Sequence, residues 1–299
     1  MAALDEEAAL LRRPARAALL SAPEPPSAIA LSVLIRTRNE ADRLARTLAA
    51  AQPLGAEIVV VDAGSTDDTV AIARAHGARV VENPWPGFGP QRHFGEAQCG
   101  HDFVFSLDAD EVLTGELVAE IRARFLAGPP PRLMIVRKAV VFPHHDRPPL
   151  WPFCHEQILI YDRRIARTGP NPNWDKLDIA VDDEPVTLRS PLWHYSLRDL
   201  HHAVSKALMV ARLAAETQPA RSPLALALRL PIEFPVAFVK YYLVRRYFLA
   251  GLDGFVYGVV GAFSRFIRIA MMAERARRAR APGLSAPGAH VSHRGSGGV

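Results

Sequence analysis

Four mostly apolar runs, each followed by a stretch with helical periodicity, constrain the fold of this chain more than any other feature of its sequence. The runs are residues 31–37, 57–62, 78–82 and 102–108. A continuous apolar run is typical of a strand that is buried on both faces of a sheet. Strands that alternate with helices at this interval form parallel sheets through right-handed crossovers. The sequence therefore predicts an α/β domain in which helices flank a mostly parallel sheet.

The rest of the chain divides into segments that differ in composition. Further strands are predicted at residues 133–142, 157–162 and 186–195. A helical region follows from Leu197 to about Arg280, and prolines and glycines predict breaks in it near Pro219–Pro223 and at Gly251–Gly254. We therefore expect an N-terminal extension and linker, the α/β domain, a helical C-terminal region and a disordered tail, which span residues 1–29, 30–196, 197–280 and 281–299.

The C-terminal helical region combines apolar residues with positive charge. Residues 221–280 contain eleven Lys and Arg against three acidic residues, whereas the whole chain has a net charge of +5. Charges interrupt the apolar sequence too often for a typical spanning helix. Aromatic and basic residues among aliphatic ones are typical of helices that lie in a membrane interface. We expect peripheral contact with an anionic membrane; a helical hairpin packed on the α/β domain and a dimer contact remain alternatives.

Composition also excludes several classes of protein. Two cysteines, Cys99 and Cys154, exclude a disulfide framework and a four-cysteine zinc site, which favours a reducing, cytoplasmic location. The first twenty residues lack the apolar core of a signal peptide. Because the excess positive charge is confined to one end, it indicates a local anionic partner and no nucleic acid.

Polar residues follow three of the predicted strands at the point where each strand ends. Thr37 ends the first strand, Asp62 ends the second and Asp108 ends the fourth, with Asp110 two residues later. Ligands of such sheets bind outside the carboxyl ends of the strands. The carboxylates of Asp108 and Asp110 suit Mg²⁺ or Mn²⁺ bound together with phosphates, although an acidic loop is more often only solvated. Asp62 follows three valines and needs a polar partner, which a ligand would supply.

Three segments, in this order, resemble family-2 glycosyltransferases of the GT-A fold. They are SVLIRTRNE at 32–40, IVVVDAGSTDDT at 58–69 and FVFSLDADE at 103–111. Segments PWPGFGPQR at 84–92, PLWHY at 191–195 and GLDGF at 251–255 are similar to the branch of lipopolysaccharide-core β-1,4-glucosyltransferases. The resemblance implies a Rossmann-like catalytic domain and an inverting, metal-dependent hexosyltransferase. Such an enzyme would move a sugar from a nucleotide-sugar, with a UDP-sugar favoured, to a cell-envelope glycan or glycolipid such as the lipopolysaccharide core, at the inner face of the cytoplasmic membrane.

The resemblance also implies roles for individual residues. Thr37, Asn39 and Glu40 would line the nucleotide pocket, and Asp108 would hold the ribose or the donor sugar. Asp62 would contact the base with Arg92 nearby, although for Arg92 a surface salt bridge is an alternative.

The predicted metal ligands are Asp110 and His194. For His194, which stands between Trp193 and Tyr195, a buried structural role is the alternative. The aromatic loop 142–153 is a candidate acceptor site, or else a lid packed on the core.

The motif that would carry the general base departs from the family pattern. Relatives often have His-Glu-Lys where this chain has Trp174-Asp175-Lys176. Asp175 is our candidate for the base, and Asp178 and Glu156 remain alternatives. The same departure supports a catalytically silent, membrane-bound glycan-binding or scaffold protein as the alternative function. A nucleotidyltransferase is disfavoured, because no Gly-rich basic loop follows the first strand.

Overall fold

An eight-stranded sheet organises the protein, in a computed structural model that describes residues 28–150, 152–219 and 222–280. The predictions for residues 1–27 and 281–299 lie outside the described residues. The strands are β1 (Leu31–Thr37), β2 (Glu57–Asp62), β3 (Arg79–Glu82), β4 (Phe103–Asp108), β5 (Glu111–Leu113), β6 (Leu133–Val140), β7 (Cys154–Asp162), β8 (Ala166–Thr168), β9 (Leu177–Ile179) and β10 (Val186–His194). The helices are α1 (Leu44–Ala51), α2 (Thr69–Ala75), α3 (Phe88–Gln98), α4 (Gly115–Leu126), α5 (Leu200–Thr217), α6 (Pro223–Val239) and α7 (Gly251–Arg280).

The large sheet is mixed, and the first four predicted strands form its longest run of parallel strands. Its strand order is β3-β2-β1-β4-β7-β6-β10-β5, and β8 and β9 form a separate antiparallel pair. β1 is parallel to both β2 and β4, β2 is parallel to β3, and β10 is parallel to β6. β7 is antiparallel to β4 and β6, and β5 is antiparallel to β10. The predicted α/β class, with a mostly parallel sheet and a helical C-terminal extension, is confirmed.

Burial of the sheet on both faces explains the continuous apolar runs. In β1, Val33 and Ile35 belong to a core cluster that also contains Leu48 of α1 and Leu117 of α4. Leu34 points to the opposite face, because successive side chains of a strand alternate, and belongs to a second cluster. On that face α3 packs closely, since a Cβ added to Gly95 would lie 2.6 Å from Cδ1 of Leu34.

A buried carboxylate, Glu96, joins α3 to the strands beside it. Its side chain is 2% exposed and accepts hydrogen bonds from Tyr161 Oη at 2.7 Å, Thr168 Oγ1 at 2.6 Å and Thr168 N at 3.1 Å. Burial and the neighbouring charge of Glu96 raise the pKa of Tyr161, so the phenol remains a donor. Glu96 thereby fixes β8, the strand from which the loop 169–176 leaves.

The C-terminal helices pack on one another and are joined by a buried ion pair. Glu233 of α6 accepts from Arg229 at 2.6 Å and from Arg265 of α7 at 2.9 Å. A π turn at Lys240–Val244 and a left-handed Arg246 (φ 58°) separate α6 from α7. The predicted break at Gly251–Gly254 is therefore wrong by a few residues, because the chain turns earlier and α7 starts at Gly251.

The stretch Tyr247–Ala279 is long and apolar enough to cross a membrane, with a mean hydropathy of 1.4 over its most apolar window. It is the one such stretch in the described part of the chain. Length and composition alone are weak evidence for a span, because core helices of soluble proteins meet the same criteria.

Replacing Glu96 with alanine leaves the donors of Tyr161 and Thr168 buried without an acceptor. We expect Glu96→Ala to lower the free energy of unfolding by about 3 kcal/mol. The measurement is chemical denaturation, and the control is Glu116→Ala, an exposed position at the start of α4 that we expect to change stability by less than about 0.5 kcal/mol. Equal stabilities of the two variants would contradict the role given to Glu96.

Candidate active site

The register of the parallel strands brings most of the predicted site residues to one edge of the sheet. Thr37 is paired with Asp62 across β1 and β2, and Arg36 is paired with Asp108 across β1 and β4. A cleft of about 500 Å³ opens at this edge. Six predicted site residues line it: Thr37, Glu40, Asp108, Asp110, Asp175 and His194. The cleft thus opens at the sheet edge where the strand-end rule predicts a ligand site.

Arg36 joins two carboxylates that come from distant parts of the chain. Its Nη2 lies 2.7 Å from Asp108 Oδ1 and 3.0 Å from Asp175 Oδ2. Arg92 Nη2 reaches the same oxygen of Asp175 at 2.8 Å, so both guanidinium groups bind Oδ2 and leave Oδ1 outside these ion pairs. Burial raises the pKa of Asp108, but the charges of Arg36, Lys138 and Arg92 outweigh it and hold that pKa well below its usual range. Asp108 is therefore ionised.

Glu111, the last acidic residue of the strand-end motif, has a structural role. It is fully buried, lies 2.5 Å from Lys138 Nζ and accepts from the backbone N of Asp108 at 3.0 Å. Burial raises the pKa of Glu111, whereas Lys138 opposes this effect. These contacts fix the turn that presents Asp108 and Asp110 to the cleft.

The two predicted metal ligands, Asp110 and His194, lie close together in the cleft. Asp110 Oδ1 lies 3.5 Å from His194 Nε2, and its Oδ2 lies 3.4 Å from Arg43 Nη1. Burial raises the pKa of Asp110, but the hydrogen bond and charge of His194 outweigh burial. The pKa of Asp110 therefore lies below its usual value. Burial lowers the pKa of His194, but Asp110 raises it overall.

Few side chains near Asp110 could act as ligands of a cation. No group of three or more His, Cys, Asp or Glu is arranged to hold a metal within the described residues. A carboxylate and an imidazole that share one cleft therefore fit a Mg²⁺ or Mn²⁺ ion whose other ligands are phosphates and water.

Asp62 and Asn39 use their side chains within a loop and are not among the residues that line the cleft. Asp62 accepts from Thr37 Oγ1 at 3.0 Å, Gly64 N at 3.0 Å and Ser65 N at 2.7 Å. The argument that a ligand must supply its polar partner is therefore wrong, because the loop supplies it. Asn39 Oδ1 accepts from the backbone N of Thr66 at 2.8 Å. Contact of Asp62 and Asn39 with a nucleotide stays a prediction.

Arg92 is buried behind the cleft, where it supports Asp175. Its side chain is 2% exposed, so the surface salt bridge considered from the sequence is wrong. Asp178 and Glu156, the alternative bases, are not among the residues that line the cleft, whereas Asp175 is.

The loop 169–176 carries Asp175 and docks on the start of α3. Phe88 N donates to Pro172 O at 2.8 Å, and Gly89 N donates to Asn171 O at 3.1 Å. A Cβ on Gly87 would lie 2.6 Å from Pro172 Cα, and one on Gly89 would lie 2.5 Å from Asn171 O. The glycines of the segment 84–92 are therefore required for close approach of the two backbones.

Three basic residues at the site carry no recognisable signal in the sequence. Arg43 lies beside Asp110, Lys138 pairs with Glu111, and Arg198 donates to Glu40 Oε2 at 2.9 Å. These three contacts join residues that are 27 to 158 positions apart in the sequence. Only the pairing of strands and helices makes these contacts.

The chain is similar to a group of known enzymes. A family model described as "Glycosyl transferase family 2" matches residues 32–172. An uncharacterized glycosyltransferase of Rickettsia felis is 32% identical over 253 residues, which cover 82% of this chain and 89% of that protein. One of Rickettsia conorii is 31% identical over 259 residues, which cover 84% of this chain and 92% of that protein.

Two solved structures are also similar. S. aureus TarS, residues 1–349, is 13% identical with a TM-score of 0.42, and the match covers 85% of this chain and 92% of that one. Glucosyl-3-phosphoglycerate synthase from Mycobacterium tuberculosis, in a complex with Mn²⁺, UDP and glucosyl-3-phosphoglycerate, is 21% identical with a TM-score of 0.41. That match covers 62% of this chain and 79% of that one.

A methyl group at Gly89 collides with backbone oxygens of the loop 169–176. We expect Gly89→Ala to undock this loop, at a cost of about 1–3 kcal/mol, and to raise amide hydrogen exchange in residues 169–176 at least about tenfold. The control is Gly115→Ala, because a Cβ on Gly115 meets nothing within 4 Å. Unchanged exchange in Gly89→Ala would show that the loop does not depend on this contact.

Proposed function

Because the chain belongs to glycosyltransferase family 2, we propose that it is an inverting, metal-dependent hexosyltransferase. It would move a sugar from a UDP-sugar to a cell-envelope glycan or glycolipid such as the lipopolysaccharide core. One observation carries this proposal. Four carboxylates from three parts of the chain, Glu40, the pair Asp108 and Asp110, and Asp175, reach one cleft whose wall also contains Arg36 and Arg43. Carboxylates suit a cation and an acceptor hydroxyl, and guanidinium groups suit a diphosphate.

The donor half of the cleft would bind the nucleotide diphosphate. Asp110 and His194 would hold Mg²⁺ or Mn²⁺, which when bound neutralises charge on the departing diphosphate. Asp108 would hold the ribose or donor sugar, and Thr37 and Glu40 would line the nucleotide pocket. Asp62 and Asn39 would fix the conformation of the loop that contacts the base. The choice of uridine rests on the resemblance of the three strand-end segments.

Asp175 would be the general base of a single displacement at the anomeric carbon. Its Oδ1 would take the proton of the acceptor hydroxyl as the hydroxyl oxygen attacks and the bond to the diphosphate breaks. Arg36 and Arg92 hold Oδ2 at 3.0 and 2.8 Å and so orient the carboxylate. The substitution of histidine by Trp174 does not remove this arrangement, because Trp174 is exposed and the carboxylate lines the cleft.

An exposed apolar stripe on α6 supports peripheral contact with the inner face of the cytoplasmic membrane. Leu224, Leu228, Ile232 and Val236 follow one another at intervals of four residues, and each is at least 56% exposed. Residues four apart lie on one face of a helix. Residues 221–280 also carry an excess of eight positive charges. Such a face would bind an anionic bilayer and hold the cleft beside a lipid-linked acceptor.

Removing the carboxylate of Asp110 tests the donor and metal part of the proposal. We expect wild-type protein to bind one class among UDP-, GDP-, dTDP- and CMP-sugars in calorimetry, with Mn²⁺ required. Asp110→Ala should weaken this binding at least about thirtyfold, because it removes one of two protein donors to the cation. Asp102→Ala, at the opposite end of β4, should bind as the wild type does. Full binding by Asp110→Ala, or no binding of any nucleotide-sugar by the wild type, would contradict the proposal.

Charges placed on the apolar stripe test the membrane part. We expect Leu228→Asp combined with Ile232→Asp to reduce binding to phosphatidylglycerol-containing vesicles about 100-fold, because two side chains lose about 1.5 kcal/mol each of apolar burial. The measurement is vesicle sedimentation. Leu126→Asp, at an exposed leucine of α4, is the control and should sediment as the wild type does. Vesicle binding that the double variant retains would exclude this stripe as the contact.

A further inference from the structure

A second cavity, of about 260 Å³, lies between β10 and the C-terminal helices. It adjoins the cleft, because His194 and Lys206 line both. The other side chains that matter for its chemistry are His155, Tyr241, Arg245, Tyr247 and Tyr257. The cavity thus begins where the candidate donor site ends, and three tyrosines and two basic groups contribute to its wall.

The two basic groups of this cavity have no acidic partner among the described residues. The guanidinium of Arg245 packs 4.6 Å from the ring of Tyr241 and 5.0 Å from that of Phe153, and its Nε is buried without a hydrogen-bond partner. Lys206 Nζ donates to the backbone oxygen of Ser196 at 3.1 Å and forms no ion pair with a described carboxylate. Two half-buried positive charges without a counter-charge favour an anionic ligand.

Neighbouring titratable groups do not cancel this charge. Burial, followed by the charges of Arg245, His194 and Lys138, lowers the pKa of His155 to about 4, so its imidazole is neutral at pH 7. Asp253 of α7, whose charge acts on Tyr257, is paired with His145 at 2.7 Å and does not line the cavity. His194 faces Asp110 in the cleft.

The backbone around Arg245 is an unusual one. The π turn at Lys240–Val244 ends at Arg245, whose N donates to Lys240 O at 2.9 Å, and the next residue, Arg246, has a φ of 58°. π turns within helical segments occur frequently at functional sites, because they redirect a side chain that a regular helix would place elsewhere. Here the turn directs Arg245 to the cavity that Tyr241 and Tyr247 also line.

The aromatic loop that the sequence suggested as an acceptor site contributes to this wall from behind. Phe142 is 3% exposed, and its ring packs edge-on against Tyr247 at 5.0 Å and tilted against Tyr257 at 5.6 Å. Its faces are therefore used by the protein itself. Tyr247 and Tyr257 pack against Phe142 on one side and line the cavity on the other.

We propose that this cavity is the acceptor subsite and binds a sugar that carries a phosphate or carboxylate group, with the anion on Arg245 and Lys206 and the ring beside the tyrosines. The inference rests on the proposed function, since it takes the adjoining cleft as the donor site. A cavity lined by aromatic rings with a few charged groups is the usual form of a small-ligand site. The shared wall at His194 would direct an acceptor hydroxyl toward the cleft and Asp175.

The test uses ligand-observed NMR on the full chain with simple sugar probes. Glucose 6-phosphate and glucuronate represent the two sources of negative charge, and methyl glucoside and inorganic phosphate represent the sugar and the anion alone. We expect wild-type protein to bind at least one of the two charged sugars at least tenfold more tightly than methyl glucoside or phosphate. Which of the two binds identifies the anion.

Matched variants decide where the probe binds. Arg245→Met should weaken binding of the charged sugar at least tenfold, and Lys206→Met should do the same if Arg245→Met does not fold. Lys240→Met, which removes the same charge from the same turn but does not line the cavity, should bind as the wild type does. Binding that is equal in wild type, Arg245→Met and Lys206→Met would overturn the proposal, as would phosphate binding as tight as that of the charged sugar.

Donor binding, measured separately, keeps this result distinct from the proposed function. Arg245 lines the second cavity and not the cleft, so binding of UDP-glucose with Mn²⁺ should be the same in wild type and Arg245→Met. Absence of donor binding by the wild type would contradict the proposed function, whereas wild-type protein that binds the donor but neither charged sugar would overturn only the acceptor subsite.

Discussion

The ion pairs of Arg36 with Asp108 and Asp175 are the contacts on which the site depends. Strand register alone places Arg36 beside Asp108, but Asp175 arrives on a loop that follows β8. Without the guanidinium group of Arg36, Asp108 would lose its direct ion pair and Asp175 would keep only that with Arg92, in a half-buried cleft. The carboxylates at this sheet edge are therefore stabilised by the basic side chains that come with them.

The position of Asp175 follows from a chain of contacts that starts in the core. Buried Glu96 holds Thr168 at the end of β8, and the loop that begins there rests on the backbone at Gly89. Arg92, one turn further along α3, then binds the carboxylate of Asp175. One helix thus supplies a core anchor, a backbone docking surface and a charged partner. This explains why the segment 84–92 combines glycines with an arginine.

The C-terminal helices contribute to the neighbourhood of the site and to the surface. Through Lys206 of α5 and Arg245 of the π turn they close a cavity against β10, next to His194. On their outer side α6 exposes an apolar stripe. A reaction between a water-soluble donor and an amphiphilic acceptor needs both kinds of surface within one molecule. The arrangement of these helices therefore links the proposed donor site to the proposed membrane contact.

The sequence by itself determined the α/β class, the strands β1 to β4 and the sheet edge where the cleft lies. It did so because burial on both faces requires continuous apolar runs, and because parallel strands bring their carboxyl ends together. Only the tertiary structure decided that Asp62 is bound by its own loop, that Arg92 is buried, and that Arg43, Lys138 and Arg198 belong to the site. These contacts join residues far apart in the chain. Their geometry depends on how loops and helices dock on the sheet, and local periodicity carries no information about docking.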